Sequence, residues 1–320
     1  MELSNNYRLR RLIHTESSEY HQLELIKNPN EIDFQVRTLL LIHGALSSID
    51  KSFKDLLSMS PSFLASLMGP VYQQILFFDH DSWGDRPEKN ANYLNDVLFG
   101  GNRFSGNNLD LLTTSRGSLV AFDLTILNPR MDIGKVIMFS PGGCGYLTSL
   151  DGISKWLTLI SKIDPSSILD ILALITSGAT ALLRTSGMQD SFPNSTFLST
   201  AYSTDLRYPV EFRSMSADYH QRLYDKETDE FKRFVCKALS GGADLALKLF
   251  LGKEHDWVIG RREQNMQIQG SNATSTNTEF KCRHGRYFRP HYPLQENHPN
   301  QDYMLFDEIY QFLSSPPIFQ

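Results

Sequence analysis

Ser115 stands between an apolar run and a glycine in LDLLTTSRGSLVAF (Leu109–Phe122). A serine hydroxyl becomes a nucleophile only when a neighbouring base can take its proton. A buried strand that runs straight into Ser-x-Gly and on into a helix throws the serine out at the carboxyl edge of a sheet, on a tight and strained turn. The residues two before and two after the serine must then be small, because the turn packs its backbone against neighbouring strands. Here they are Thr113 and Gly117, so T-x-S-x-G stands where G-x-S-x-G is usual. The plain alternative is a strand–helix junction in which Ser115 only caps the helix.

A second group fits the same chemistry. Ester hydrolysis passes through a tetrahedral oxyanion, and backbone N–H groups must already point at that oxygen. The run RTLLLIHG (Arg37–Gly44) ends in His43–Gly44. A His-Gly turn after a buried strand presents the next N–H, that of Ala45, toward the nucleophile. The other donor is the N–H of Arg116. His43, Gly44 and Gly117 then act as the supporting turn.

The elements that must position these residues are legible as alternation. Tyr7–Ile13 and Tyr20–Ile26 read as two strands joined by a polar turn. Leu39–Ile42, Val71–Asp79, Leu109–Ser115 and Lys135–Gly143 are runs apolar enough to be buried on both faces, as strands of a parallel sheet are. Helical patterns separate them at Phe53–Met68, Glu88–Leu98 and Gly117–Leu127. This predicts an α/β fold, a doubly wound, mostly parallel sheet. The rhythm breaks after Gly145. Residues 150–205 carry apolar helical segments and then a Ser/Thr/Pro/Asn-rich stretch, read as an inserted helical cap. The sheet resumes at Tyr208–Ser216, His255–Gly260 is read as a short strand, and Asn300 caps a final amphipathic helix ending at Leu313. The division is residues 1–149 and 206–320 as the two parts of one core, with 150–205 inserted.

With these residues in place the chain resembles the α/β-hydrolase superfamily, in its lipase/esterase branch. LLLIHGALSS resembles the oxyanion strand, FFDHDSWG the loop after the next strand, TTSRGSLVAFDL the elbow and its helix, and VIMFSPGG the strand that follows. It is most similar to bacterial lipase-like members of uncertain substrate that read H-S-R-G-G at the elbow, from which Thr114 and Ser118 depart. The resemblance covers residues 37–145 well and 208–315 loosely.

It implies a serine hydrolase with a Ser–acid–His triad in that chain order. For the acid, Asp256 in EHDWVIG opens an apolar run and is preferred. Asp218, just after Tyr208–Ser216, also respects the order. For the base, His298 lies just before the last helix and is preferred over His291; His284 is less well placed. The resemblance implies cleavage of a carboxylic ester with neither metal nor organic cofactor. The apolar cap points to a small-molecule or lipid-like acyl substrate and leaves transient contact with a membrane surface open. The alternative, motivated by Thr113 and Thr114, is a non-catalytic scaffold of this fold that binds a partner or ligand.

Composition narrows the field further. The 320 residues carry 31 Lys+Arg against 36 Asp+Glu, a net charge of −5, so no basic field favours nucleic acid. Twenty Phe, 13 Tyr and 3 Trp supply ample core. The cysteines (Cys144, Cys236, Cys282) form no CxxC pair and suit a reducing compartment. The N-terminal MELSNNYRLRRLIHTESSEYHQ has no apolar core of a secretory signal, so the expectation is cytoplasmic. Ser166–Leu183, the most apolar stretch, reads as a buried or lid helix. Asp79, His80 and Asp81 are read as a solvated loop without a metal partner set, QGSNATSTNTE near 269–279 as another solvated loop, and the basic, aromatic Lys281–Tyr292 as an exposed loop and strand. Oligomeric state is left open.

Overall fold

The computed structural model describes residues 7–13, 22–45, 47–58, 61–82, 84–99, 104, 108–127, 133–141, 205–206, 208–217, 273–280, 288 and 301–316. Among the described residues eight strands form one sheet: β1 Arg8–Ile13, β2 Gln22–Leu25, β3 Thr38–Ile42, β4 Gln74–Asp79, β5 Leu109–Thr114, β6 Ile133–Phe139, β7 Val210–Ala217 and β8 Ala273–Phe280. Their order across the sheet is β2-β1-β4-β3-β5-β6-β7-β8. The six strands from β3 to β8 are parallel, and β1 runs antiparallel to both β2 and β4.

Alternation along the strands divides the core in two. Leu40 and Ile42 of β3, Leu76 and Phe78 of β4 and Leu111 of β5 face one side. Helices α4 (Pro87–Phe99) and α5 (Gly117–Leu127) cover it with Ala91, Leu94, Leu98, Val120, Ala121 and Leu124. Leu39, Leu41, Ile75, Phe77, Leu112 and Ile137 face the other side. There α1 (Ile49–Ser52), α2 (Lys54–Ser58), α3 (Pro61–Leu67) and α6 (Gln301–Ser314) supply Ile49, Leu56, Leu64, Leu67, Ile309 and Leu313. Five consecutive residues of β3 are buried because helices lie on both faces. The expected doubly wound sheet is therefore present.

Two expectations change. Where a single helix is expected over Phe53–Met68, the described residues form two short ones, α2 and α3, with α1 just before them. Pro61 has no N–H to donate and its fixed φ suits the first position of a helix, so α3 starts afresh at the proline. The low-complexity run read as a solvated loop contains β8, ATSTNTEF, in register with all eight residues of β7. Threonine is β-branched and suits a half-covered strand. Polar side chains replace apolar ones across the pair: the Ser216 hydroxyl donates to Asn277 Oδ1 at 2.7 Å.

Strand order sets where a site can lie. The chain leaves β3 for β4 on one side, then crosses back to β5 on the other. In open parallel sheets the crevice at such a switch point, beyond the carboxyl ends of the strands, is where ligands bind. Gly44 follows β3 and Ser115 follows β5, so both stand at that point. The cap expected over residues 150–205 lies outside the described residues except for residue 205, as does the short strand expected at His255–Gly260.

Candidate active site

Ser115 leaves β5 with φ 50°, in the left-handed region that non-glycine residues rarely enter. Such a conformation costs about 1–3 kcal/mol and persists only where surroundings enforce it. Its N–H donates to Phe139 O of β6 at 2.7 Å, and its carbonyl accepts from Ser118 N–H at 3.0 Å as α5 begins. The neighbouring strand ends alike: Ser140 follows β6 with φ 42°, and its N–H donates to Met215 O at 2.8 Å.

Two glycines let the elbow close. A Cβ on Gly117 would stand 2.5 Å from the carbonyl oxygen of His43 and 2.6 Å from that of Ile42, backbone atoms that cannot yield. The first turn of α5 thus rests directly on the end of β3. A Cβ on Gly44 would stand 2.8 Å from Ser115 Cβ and 3.5 Å from its Oγ. The His43–Gly44–Ala45 turn lies against the Ser115 side chain because Gly44 has none of its own.

Thr113, in the place of the usual first glycine, is accommodated by hydrogen bonding. Its hydroxyl donates to Ile137 O at 3.1 Å and lies 2.9 Å from the Ser118 hydroxyl, itself a departure from the commoner glycine. Since Thr113 spends its proton on Ile137, Ser118 is the donor between them. The Thr114 hydroxyl is buried, with no hydrogen-bond partner among the described residues.

Behind the turn lies a pair of stacked histidines, His43 of the turn and His80 of the loop expected to be solvated. His80 follows β4 and is 6% exposed, and His43 is 1% exposed; their rings stack with centroids 4.2 Å apart. His80 N–H donates to His43 Nε2 at 3.1 Å, so the His43 proton sits on Nδ1, which donates to Gly44 O at 2.8 Å. His80 Nε2–H donates to His43 O at 3.0 Å. Burial holds both imidazoles below their ordinary pKa, strongly so for His80, and the Arg116 charge adds to the effect. The expectation of a solvated Asp79–His80–Asp81 loop is corrected accordingly. Its place at the end of a buried strand is visible in the sequence; the strand beside it, which carries the His-Gly turn, is not.

Charged residues fix the surrounding backbone. The Arg116 guanidinium is buried and donates to Asp85 O. The Asp85 carboxylate accepts from the Tyr7 hydroxyl and, at 2.6 Å, from Lys89 Nζ. Asp79 pairs with Arg10 and accepts the Ile49 N–H at 2.7 Å, at the first turn of α1. The elbow, the loop after β4 and the helix after the His-Gly turn are thereby linked.

Of the residues singled out from sequence, the structure brings together His43, Gly44, Ala45, Ser115, Arg116 and Gly117. Asp256, Asp218, His298 and His291 lie outside the described residues. Among the described residues no group of three or more His, Cys, Asp or Glu could hold a metal ion. Nor is any described helix long and apolar enough to cross a membrane.

Solved structures with a similar chain path include a hydrolase from Oleispira antarctica, 13% identical, with 88% of this chain and 92% of that one covered and a TM-score of 0.45. The mature form of a lipase from Bacillus licheniformis is 16% identical over 88% of this chain and 94% of that one, at TM-score 0.47. An α/β-hydrolase-fold protein from Chitinophaga pinensis is 12% identical over 96% and 98%, at TM-score 0.48. No curated protein matches the sequence. The sequence model of one family, described as a domain of unknown function (DUF7379), matches residues 7–293, and the chain belongs to that family.

Proposed function

We propose that the protein is a serine hydrolase that cleaves carboxylic esters, with Ser115 as nucleophile. One observation carries the reading: Ser115 is held at φ 50° on the turn between a buried strand and a helix, with the Gly44 turn packed against its side chain. A residue kept in a costly conformation at a topological switch point calls for a functional reason. In the proposed reaction Ser115 Oγ attacks the ester carbonyl and passes its proton to His298. The N–H groups of Ala45 and Arg116 hold the oxyanion. The imidazolium, oriented by Asp256, then protonates the departing alkoxide, and water, activated by the same imidazole, releases the acid from the acyl-enzyme.

Asp218 and His291 are the alternatives to Asp256 and His298. The end of β7 at Ala217 favours Asp218 in one respect: it is the next residue after a parallel strand whose carboxyl end lies on the edge that bears Ser115. The apolar composition of residues 150–205 favours an acyl or lipid-like substrate, met in solution or at a membrane surface.

A fluorophosphonate probe and a short p-nitrophenyl ester test this. Wild type should be labelled and should turn over the ester. Ser115→Ala should lose labelling and on the order of 10⁴–10⁶ in kcat. Undiminished turnover in that variant would overturn the assignment. Of Asp256→Asn and Asp218→Asn, the one that removes the orienting acid should lose about 10⁴ in kcat while the other stays near wild type. Replacing His298 or His291 by alanine identifies the base in the same way.

A further inference from the structure

Gly44 presents a conflict that the structure resolves with two histidines. Close approach to Ser115 demands glycine at this position. Glycine is also the residue least able to hold its own peptide groups in one orientation. An oxyanion donor must be fixed in advance, because its catalytic value lies in needing no reorganisation when charge develops. Rigidity must therefore come from outside the turn.

The two peptide groups flanking Gly44 are each held by an imidazole. His80 Nε2–H donates to the carbonyl of the His43–Gly44 peptide at 3.0 Å. His43 Nδ1–H donates to the carbonyl of the Gly44–Ala45 peptide at 2.8 Å. In a trans peptide the N–H points opposite to the C=O, so fixing the Gly44 carbonyl also fixes the direction of the Ala45 N–H. The backbone N–H of His80 sets the His43 tautomer that makes this donation, and the rings stack at 4.2 Å. The pair is buried, so water does not compete for these bonds.

We propose that His80 and His43 are positioning residues for the oxyanion turn, clamping its two successive peptide groups so that the Ala45 N–H is preset toward the charge that develops on the substrate of Ser115. This rests on the hydrolase reading given above. His80 touches neither substrate nor nucleophile in this role; it acts through His43 and the turn.

The test is steady-state hydrolysis of a p-nitrophenyl ester, together with inhibition by an alkyl boronic acid, whose tetrahedral adduct on serine mimics the transition state. His80→Leu should lower kcat by about tenfold or more, bounded by the roughly 10²–10³ that loss of a whole oxyanion donor costs. KM should stay within about twofold, and the boronate should weaken in step with kcat. His80→Gln, whose amide can still donate to the His43 carbonyl, should recover most of the loss. His80→Asn, polar but too short to reach, should not, and it makes the same test if the leucine variant fails to fold. If kcat and boronate affinity stay at wild-type values in the Leu and Asn variants, the clamp is wrong while the hydrolase reading stands. A loss in which KM rises in parallel and glutamine gives no recovery makes His80 a packing residue and also overturns the proposal. If wild type neither hydrolyses esters nor reacts with the fluorophosphonate, the hydrolase reading falls and takes the clamp with it.

Discussion

Thr113 and Ser118 stand five residues apart at the turn that carries Ser115, and their hydroxyls are physically coupled. The two hydroxyls lie 2.9 Å apart in the core, and the Thr113 proton continues to Ile137 O. Removing one partner strands the other. Thr113→Val should destabilise the protein by about 1–3 kcal/mol, the cost of a buried hydroxyl left without its partner. Adding Ser118→Ala should cost less than the sum of the two single changes, by a coupling of roughly 0.5–3 kcal/mol. Urea denaturation of the four proteins checks both; strict additivity would contradict the pairing. At Gly117 the conflict is with backbone. Gly117→Ala places a methyl 2.5 Å from the His43 carbonyl oxygen. It should cost at least about 1–3 kcal/mol and diminish fluorophosphonate labelling, because α5 must lift away from β3. Labelling and denaturation midpoint together make the measurement.

At the scale of elements, the last helix is secured from beneath the sheet. Lys135 of β6 is fully buried, and its ammonium donates to the carbonyls of Phe312 and Ser315 and, at 2.8 Å, to the Ser315 hydroxyl. Arg37 donates to Leu313 O at 2.6 Å and to the buried carboxylate of Asp110 at 2.8 Å, which also accepts from the Tyr72 hydroxyl at 2.7 Å. Two cations thus meet the unpaired carbonyls and the negative dipole end of α6. Lys135→Met keeps the volume and removes the charge-assisted bonds together with the cost of burying the ammonium, a net loss of about 1.5–3 kcal/mol. We expect a fall in stability in that range, with faster amide exchange in 305–313 than in β3 and β5; unchanged exchange there would refute the role of Lys135 as an anchor. The apolar stripe of α6 is legible in sequence; its fastening is not, because Lys135 lies far away in the chain. The reverse holds for β8: its threonines suit a strand, yet with no apolar alternation only the register with β7 shows one.

For the whole molecule, the two buried imidazoles make stability depend on pH. Burial lowers both pKa values in the folded state, while in the unfolded chain each stands near the ordinary value of about 6.5. As pH falls below that value, the unfolded chain takes up protons that the native one refuses. The contribution to stability is therefore fully present above about pH 6.5 and is lost as pH falls toward the folded pKa values. The slope is up to roughly 1.4 kcal/mol per pH unit for each group. Denaturation at pH 7.5, 6 and 5 should show this loss. His80→Gln should flatten the curve relative to wild type, and parallel curves would show that His80 is not held neutral.

Local chemistry decided much of this protein. Runs such as Leu39–Ile42 read as strands covered on both faces, and Ser115-x-Gly117 between a strand and a helix reads as a tight turn. These signals need no knowledge of distant residues, so the doubly wound sheet, the elbow and the His-Gly turn were legible from the chain. Other features depended on the order of strands. That order puts the switch point between β3 and β5, sets β4 beside β3, and so stacks His80 on His43. A histidine after a buried strand reads as solvated until the neighbouring strand is known, because its partner lies tens of residues away and no periodicity in the sequence joins them. Thr113 likewise reads as a defect in the motif until the fold places Ser118 and Ile137 around its hydroxyl. Hydrophobic period is a property of neighbours along the chain; hydrogen-bond satisfaction in a core is a property of neighbours in space, and only the packed sheet supplies those.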